Sequence, residues 1–251
     1  MNRIVVGCAS FLVVTGFAAA FGQDLYLADA AHFPGVLWLS REGRPERVVH
    51  RRDVKPLASA PGMIPRLAQV CVLPGGKQFF CSGLDGYVFH NLNGHEVVSG
   101  DHKQQVRDLA PGDDDHTYYF SVVSTPQNGE PLAEGRIYRH DLYDGGPRLV
   151  ATVKQEIVGN DWWGTFARKG EDFYVVTLRS PVRIYRLNGA DAELKWESAE
   201  RRVTALTFDG DGQPVIASGG TDIIRLRDFT DAQVLLRAER NMTEVAAPGR
   251  N

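Results

Sequence analysis

An all-β fold, a β-propeller of five four-stranded blades, is what three features of the sequence predict. The first is the strand pattern. Apolar stretches of roughly four to seven residues, rich in Val, Ile, Tyr and Phe, are punctuated by Gly, Pro, Asp or Asn, and helical periodicity is nearly absent. The second is a long-period repeat. "RLAQVCVLPGGKQFFCSGLDGYVFHNLNGHEVVSG", from Arg66, and "VTALTFDGDGQPVIASGGTDIIRLRDFTDAQVLLR", from Val203, follow one plan. Each has an apolar strand, a Gly-containing turn, a second strand ending near Ser-Gly, a third strand and a short fourth. Two looser copies begin at Val106 and Gly164, and the third strands recur about every 46 residues, the spacing of propeller blades. The third feature is a count. The first unit ("DLYLADA", "GVLWLS", "ERVVHR") lacks an innermost strand, and "NMTEVAA" (241–247) is a strand left over. Pairing the spare strand into the first unit would close the ring and cover two bare edges.

In chain order, residues 1–22 read as a secretory signal. Arg3 precedes an uncharged apolar run from Ile4 to Phe17, and the small residues up to Gly22 offer a cleavage site. The run is shorter than the roughly 20 residues a membrane-spanning helix needs, so no transmembrane segment is expected in the mature chain. Residues 23–251 are expected to form one propeller domain, secreted or periplasmic.

Cys71 and Cys81 flank the turn "VLPGGKQFF". A turn centred on Gly76 would set them opposite each other, so a cross-strand disulfide fits an oxidising compartment. Two buried thiols on neighbouring strands fit the spacing equally, since a slip of one residue separates their faces. Farther on, Asp85 and Asp222 follow the two Ser-Gly pairs and belong to tight turns, where a carboxylate can accept backbone N–H groups.

The two clearest copies resemble WD40 repeats, and "DHKQQVRDLAP" (101–111) is similar to that family's opening His followed by an apolar strand. The resemblance covers two units well. The family's terminal Trp-Asp is absent: Arg227-Asp228 and Asn91-Leu92 stand there, and His102 alone could be the opening histidine. The chain is also similar to NHL-type exported propellers, which lack that hydrogen-bonded network. The resemblance implies the fold and a habit of binding, and implies no chemistry.

Propeller ligands gather at the channel mouth, beside the starts of the innermost strands. Arg66, Gln105, Trp162, Trp163, Arg201 and Arg202 occupy those places. Cations, amides and aromatic rings in one ring suit an anionic or aromatic ligand, or an acidic segment of a protein partner. "PGDDDHTYY" (111–119) and "DGDG" (209–212) read as solvated turns rather than calcium loops. His90 and His140, on comparable third strands, read as ordinary strand residues. No nucleotide-binding or nucleophile-elbow motif is present, and a net charge of −3 gives no case for nucleic acid. The expected role is therefore a binding module for a protein or small molecule, without catalysis and without a cofactor. The alternative is a gluconolactonase-like or lyase-like enzyme with a metal at the mouth, for which Asn160, Asp161 and Asp108 are the candidate ligands.

Overall fold

The computed structural model describes the strands between residues 25 and 49, residues 67–74, 79–83, 89–90 and 96–97, and residues 244–246. It also describes nearly all of 105–237, apart from 124–134, 155–161, 219–221 and the single positions 142, 145, 163 and 190. The chain there is all-β. The first sheet contains β1 (Leu25–Asp29), β2 (Gly35–Leu39) and β3 (Pro45–Val49), joined by β20 (Glu244–Ala246). Two pairs follow: β4 (Leu67–Val72) with β5 (Phe79–Gly83), and β6 (Phe89–His90) with β7 (Glu96–Val97). The next sheet runs β8 (Gln105–Pro111), β9 (Thr117–Val123), β10 (Gly135–Asp141), β11 (Arg148–Val153). Then come β12 (Phe166–Lys169), β13 (Asp172–Val176), β14 (Val182–Asn188) and β15 (Asp191–Ser198). The last meander is β16 (Val203–Phe208), β17 (Pro214–Ser218), β18 (Asp222–Arg227) and β19 (Asp231–Arg237).

Each meander is antiparallel and ordered by sequence, as short turns require. The third strands β2, β6, β10, β14 and β18 start within two residues of positions 36, 87, 136, 182 and 223, where the sequence repeat places them. The spare strand finds the place expected for it: β20 pairs with β1 through Tyr26–Ala246, Leu27–Val245 and Ala28–Glu244. The first strands of successive sheets touch in the order β4, β8, β12, β16, β20 and back to β4.

Of the two cysteine readings left open by the sequence, the register of β4 and β5 fits the one with the thiols on opposite faces of neighbouring strands. Cys71 pairs with Phe80, and Cys81 with Val70. The pairing is therefore one position away from a register that would set Cys71 opposite Cys81. That shift displaces the two cysteines by one position, and adjacent positions of a strand face opposite ways. Cys71 is fully buried beside Leu73, Leu109 and Tyr118.

A bulge recurs at one place in all four complete sheets. The pairing of third and outermost strands slips between Val36 and Leu37, Ile137 and Tyr138, Ile184 and Tyr185, and Ile223 and Ile224. Such a bulge increases local twist and blunts an outer edge that would otherwise template pairing with another chain. The innermost pairs carry bulges too, so that Ala68, Arg107 and Thr204 stand out of the ladder on β4, β8 and β16.

The core lies between sheets. Ala110, Tyr119, Ile137, Trp162, Phe166 and Val175 fill the space between the β8 and β12 sheets. Ala167, Tyr174, Val176, Leu206, Ile216 and Ile224 do the same between the β12 and β16 sheets. Blades that bury both faces in this way read as continuous apolar strands, which is why β9 and β17 are buried at every residue.

A second recurrence is electrostatic. The third strands carry Arg139, Arg186 and Arg225 at equivalent positions, two residues beyond Ile137, Ile184 and Ile223. Arg186 pairs with Asp172 at 2.8 Å, and Arg225 with Asp209 at 2.6 Å and Asp211 at 2.5 Å. Arg139 bonds the Thr117 hydroxyl at 3.3 Å and reaches Asp141 at 3.9 Å. These arginines tie each third strand to acids or hydroxyls near the first hairpin of its own blade.

Candidate functional site

The segments entering β12 and β16 lie at the strand starts where a mouth site was expected. Of the expected residues, Arg66 and Trp163 and the side chain of Gln105 fall outside the described residues. Arg201 is half-buried, its backbone N–H bonded to the Ser198 hydroxyl at 3.2 Å, and Arg202 is exposed. Both can meet a ligand.

Trp162 cannot, and here the sequence reading is corrected. The indole is only 4 % exposed and donates its ring N–H to the Thr165 carbonyl at 2.9 Å. A Cβ added to Gly135 would stand 1.7 Å from the ring. The side chain folds back into the gap between two sheets, where its large apolar area is worth more than at a wet loop tip.

Asp108 is likewise occupied. It is 3 % exposed on β8, and its two oxygens accept the backbone N–H of Leu109 and of Phe166, each at 2.8 Å. The second bond crosses from β8 to β12. Burial pushes this carboxyl up to about 7, against the pull of the two donors. Ser121 on β9 adds a parallel tie, donating its hydroxyl to the Gly164 carbonyl at 2.6 Å. Gly164 has φ near 110°, a conformation side chains rarely adopt, and a Cβ there would stand 2.2 Å from the Cβ of Arg107. The stem of Arg107 thus lies over a glycine that makes room for it.

Arg107 is the residue that sequence reasoning missed. Its guanidinium is half-buried, its Nε is covered and has no acceptor, and no hydrogen bond or ion pair joins it to another described residue. Burial lowers its pKa. The one available signal was its place in "QQVRDLAP", the start of an innermost strand, but the bulge that turns it out of the ladder is not readable from residue types.

The other clusters are structural. Asp114 accepts the N–H of His116 and Thr117 and the Thr117 hydroxyl, closing the β8–β9 turn. Asp113 turns the other way, onto Arg168 of the next sheet, at 2.8 and 2.5 Å. Asp209 accepts the N–H of Asp211 and Gln213, so its turn is closed by its own carboxylate. His140 is hydrogen-bonded to the Tyr118 hydroxyl at 2.6 Å. Among the described residues, no three His, Cys, Asp or Glu side chains converge as a metal site, and no helix is long and apolar enough to cross a membrane.

No protein-family model and no curated protein sequence matches the chain. Solved structures do. A gluconolactonase from Xanthomonas campestris matches with a TM-score of 0.55 at 12% identity, over 88% of this chain and 74% of that one. A chain of a nidogen–laminin complex matches with a TM-score of 0.53 at 13% identity, over 90% and 80%. At such identities the likeness is one of fold, and that fold is the β-propeller.

Proposed function

We propose that this protein is an exported five-bladed propeller, closed by β20, that binds a protein or small-molecule partner at the channel mouth where β8, β12 and β16 begin. The five-blade reading is supported by the cyclic order in which the first strands touch. Export is supported by the charged start, apolar run and small residues of the first 22 positions.

The observation that carries the binding reading is the division of labour at the strand starts. Asp108, Ser121 and Trp162 hold sheets together, while Arg107, Arg201 and Arg202 are left with guanidinium groups that meet no described acid. A rigid ring that presents cations on a fixed frame recognises a ligand at low ordering cost.

The enzyme alternative draws support from the gluconolactonase likeness, which extends to fold alone. Asp108, one of its candidate metal ligands, is engaged by two backbone donors. Asn160 and Asp161 lie outside the described residues.

The test is capture from extracytoplasmic extract by the purified chain, beside Arg202→Ala and Arg201→Ala/Arg202→Ala variants of matched circular dichroism. A partner held by the parent and lost by the double variant supports the mouth site. No partner, together with stoichiometric divalent metal after dialysis and turnover of lactones, would replace the binding reading with the enzyme one.

A further inference from the structure

Four described arginines have a covered Nε with no acceptor: Arg107, Arg168, Arg186 and Arg225. Three of them set their remaining nitrogens on carboxylates. Arg168 meets Asp113, Arg186 meets Asp172, and Arg225 meets Asp209 and Asp211. Burial lowers Arg168 and Arg225, but their carboxylates outweigh it, and the net shift of all three is upward. Arg107 is the exception. It is half-buried, it faces no described carboxylate, and burial alone acts on it, downward.

A desolvated charge without a counter-charge is costly, and side chains in that state persist where something else supplies the opposite charge. Here the frame around the charge is built. The bulge between Val106 and Asp108 turns Arg107 out of the ladder. Gly164 clears the space for its stem. The bonds from Phe166 N–H to Asp108 and from Ser121 to the Gly164 carbonyl fix the strand and the loop on either side. The equivalent bulged residue of β16 is Thr204, and that of β4 is Ala68. Neither carries charge, so the cation is not a requirement of the repeat.

We propose that Arg107 anchors an anion site at the inner end of β8, and that its ligand presents a carboxylate. This rests on the mouth-binding reading and names the chemistry of that site. One guanidinium neutralises one carboxylate, and the planar fork matches its two oxygens. A phosphate carries more charge than this single arginine balances. The carboxylate can belong to a small organic acid or to an acidic side chain of a protein partner, and the experiment separates these.

The probes are succinate and a short polyglutamate peptide, titrated calorimetrically against the full chain at matched ionic strength, with chloride as the control. The variants are Arg107→Met, which keeps the stem over Gly164, and Arg107→Lys, which keeps the charge. Saturable binding of either probe, weakened about tenfold or more by Arg107→Met and partly restored by Arg107→Lys, is the expected result. Succinate binding assigns a small acid; response to the peptide alone assigns an acidic protein segment. The Met variant should melt no lower than the parent, because it removes an uncompensated charge. Binding that Arg107→Met leaves unchanged overturns the proposal. So does a Met variant that unfolds, since the guanidinium would then have a partner within the fold. A partner captured by the parent, lost with Arg201 and Arg202 but kept by Arg107→Met, also overturns it, and leaves the mouth-binding role standing.

Discussion

Replacing Asp108 by alanine removes the acceptor of two backbone donors at once, Leu109 N–H and Phe166 N–H. Both lie at a site 3 % exposed, where water cannot replace the lost partner. Each buried donor left unmade costs about 1–3 kcal/mol. The relief of no longer burying a carboxylate offsets part of this, so a net loss of about 2–4 kcal/mol is expected. For a chain of this size that is a fall in Tm of roughly 5–15 °C. Asp108→Asn keeps one acceptor and turns an amide toward the other donor, so its loss should be smaller but still measurable. The pH dependence has a definite sign. The carboxyl is raised in the fold to about 7 from its ordinary value near 3.8. Between those values the folded chain holds a proton that the unfolded chain has released, so this group's contribution falls as pH rises through the window and levels off above it. Urea unfolding of parent and Asn variant at several pH values reads both effects. The variant should lose that part of the slope. An alanine variant within about 0.5 kcal/mol of the parent, or a parent and Asn variant with superimposable pH profiles, would refute the assignment of Asp108 as a tie between blades.

Three further outcomes follow from the same geometry. Gly164→Ala combines a φ near 110° with a Cβ 2.2 Å from that of Arg107, and should lower stability by more than about 2 kcal/mol in denaturant melts; truncating Arg107 beside it should restore only part. Arg225→Met strands Asp209, which is 7 % exposed at its side chain, and should cost about 2–4 kcal/mol, against less than about 1 for Arg183→Met, whose partner Glu197 is open to solvent. Cys71, fully buried, should react with an aromatic disulfide reagent only as the chain unfolds, and reductant should leave the melting temperature unchanged, since the register does not set Cys81 opposite it.

The sequence carried the fold further than the site. Third-strand positions were legible because two copies keep the order strand, Gly turn, strand, Ser-Gly, and because turn residues mark strand ends by backbone chemistry. The pairing of β20 with β1 was legible because a missing strand and a spare one make a count that needs no energetics. Register was not legible. Whether Cys71 faces Cys81 depends on a shift of one position in strand pairing, which the residue types of two apolar strands do not specify. Trp162 was misread for a related reason: next to a strand start, an aromatic can face the channel or fold under its own loop, and Gly135, 27 positions earlier, decides which. Asp108 looked like a candidate ligand because its two donors are backbone atoms, which every residue type possesses. Arg107 escaped notice because its interest lies in what does not face it.

The pairing of Tyr26 with Ala246 joins positions about 220 residues apart in the chain. Every other strand pair described here can form between neighbours as they are synthesised, but the first sheet must wait. Until residues 244–246 emerge, β1 offers an open hydrogen-bonding edge to anything extended and nearby. Closure of this sheet is therefore expected to be a late step, with a rate that tracks the search of one short strand for one distant edge. A chain interrupted before Glu244 would hold most of its sheets and still be the species most prone to self-association.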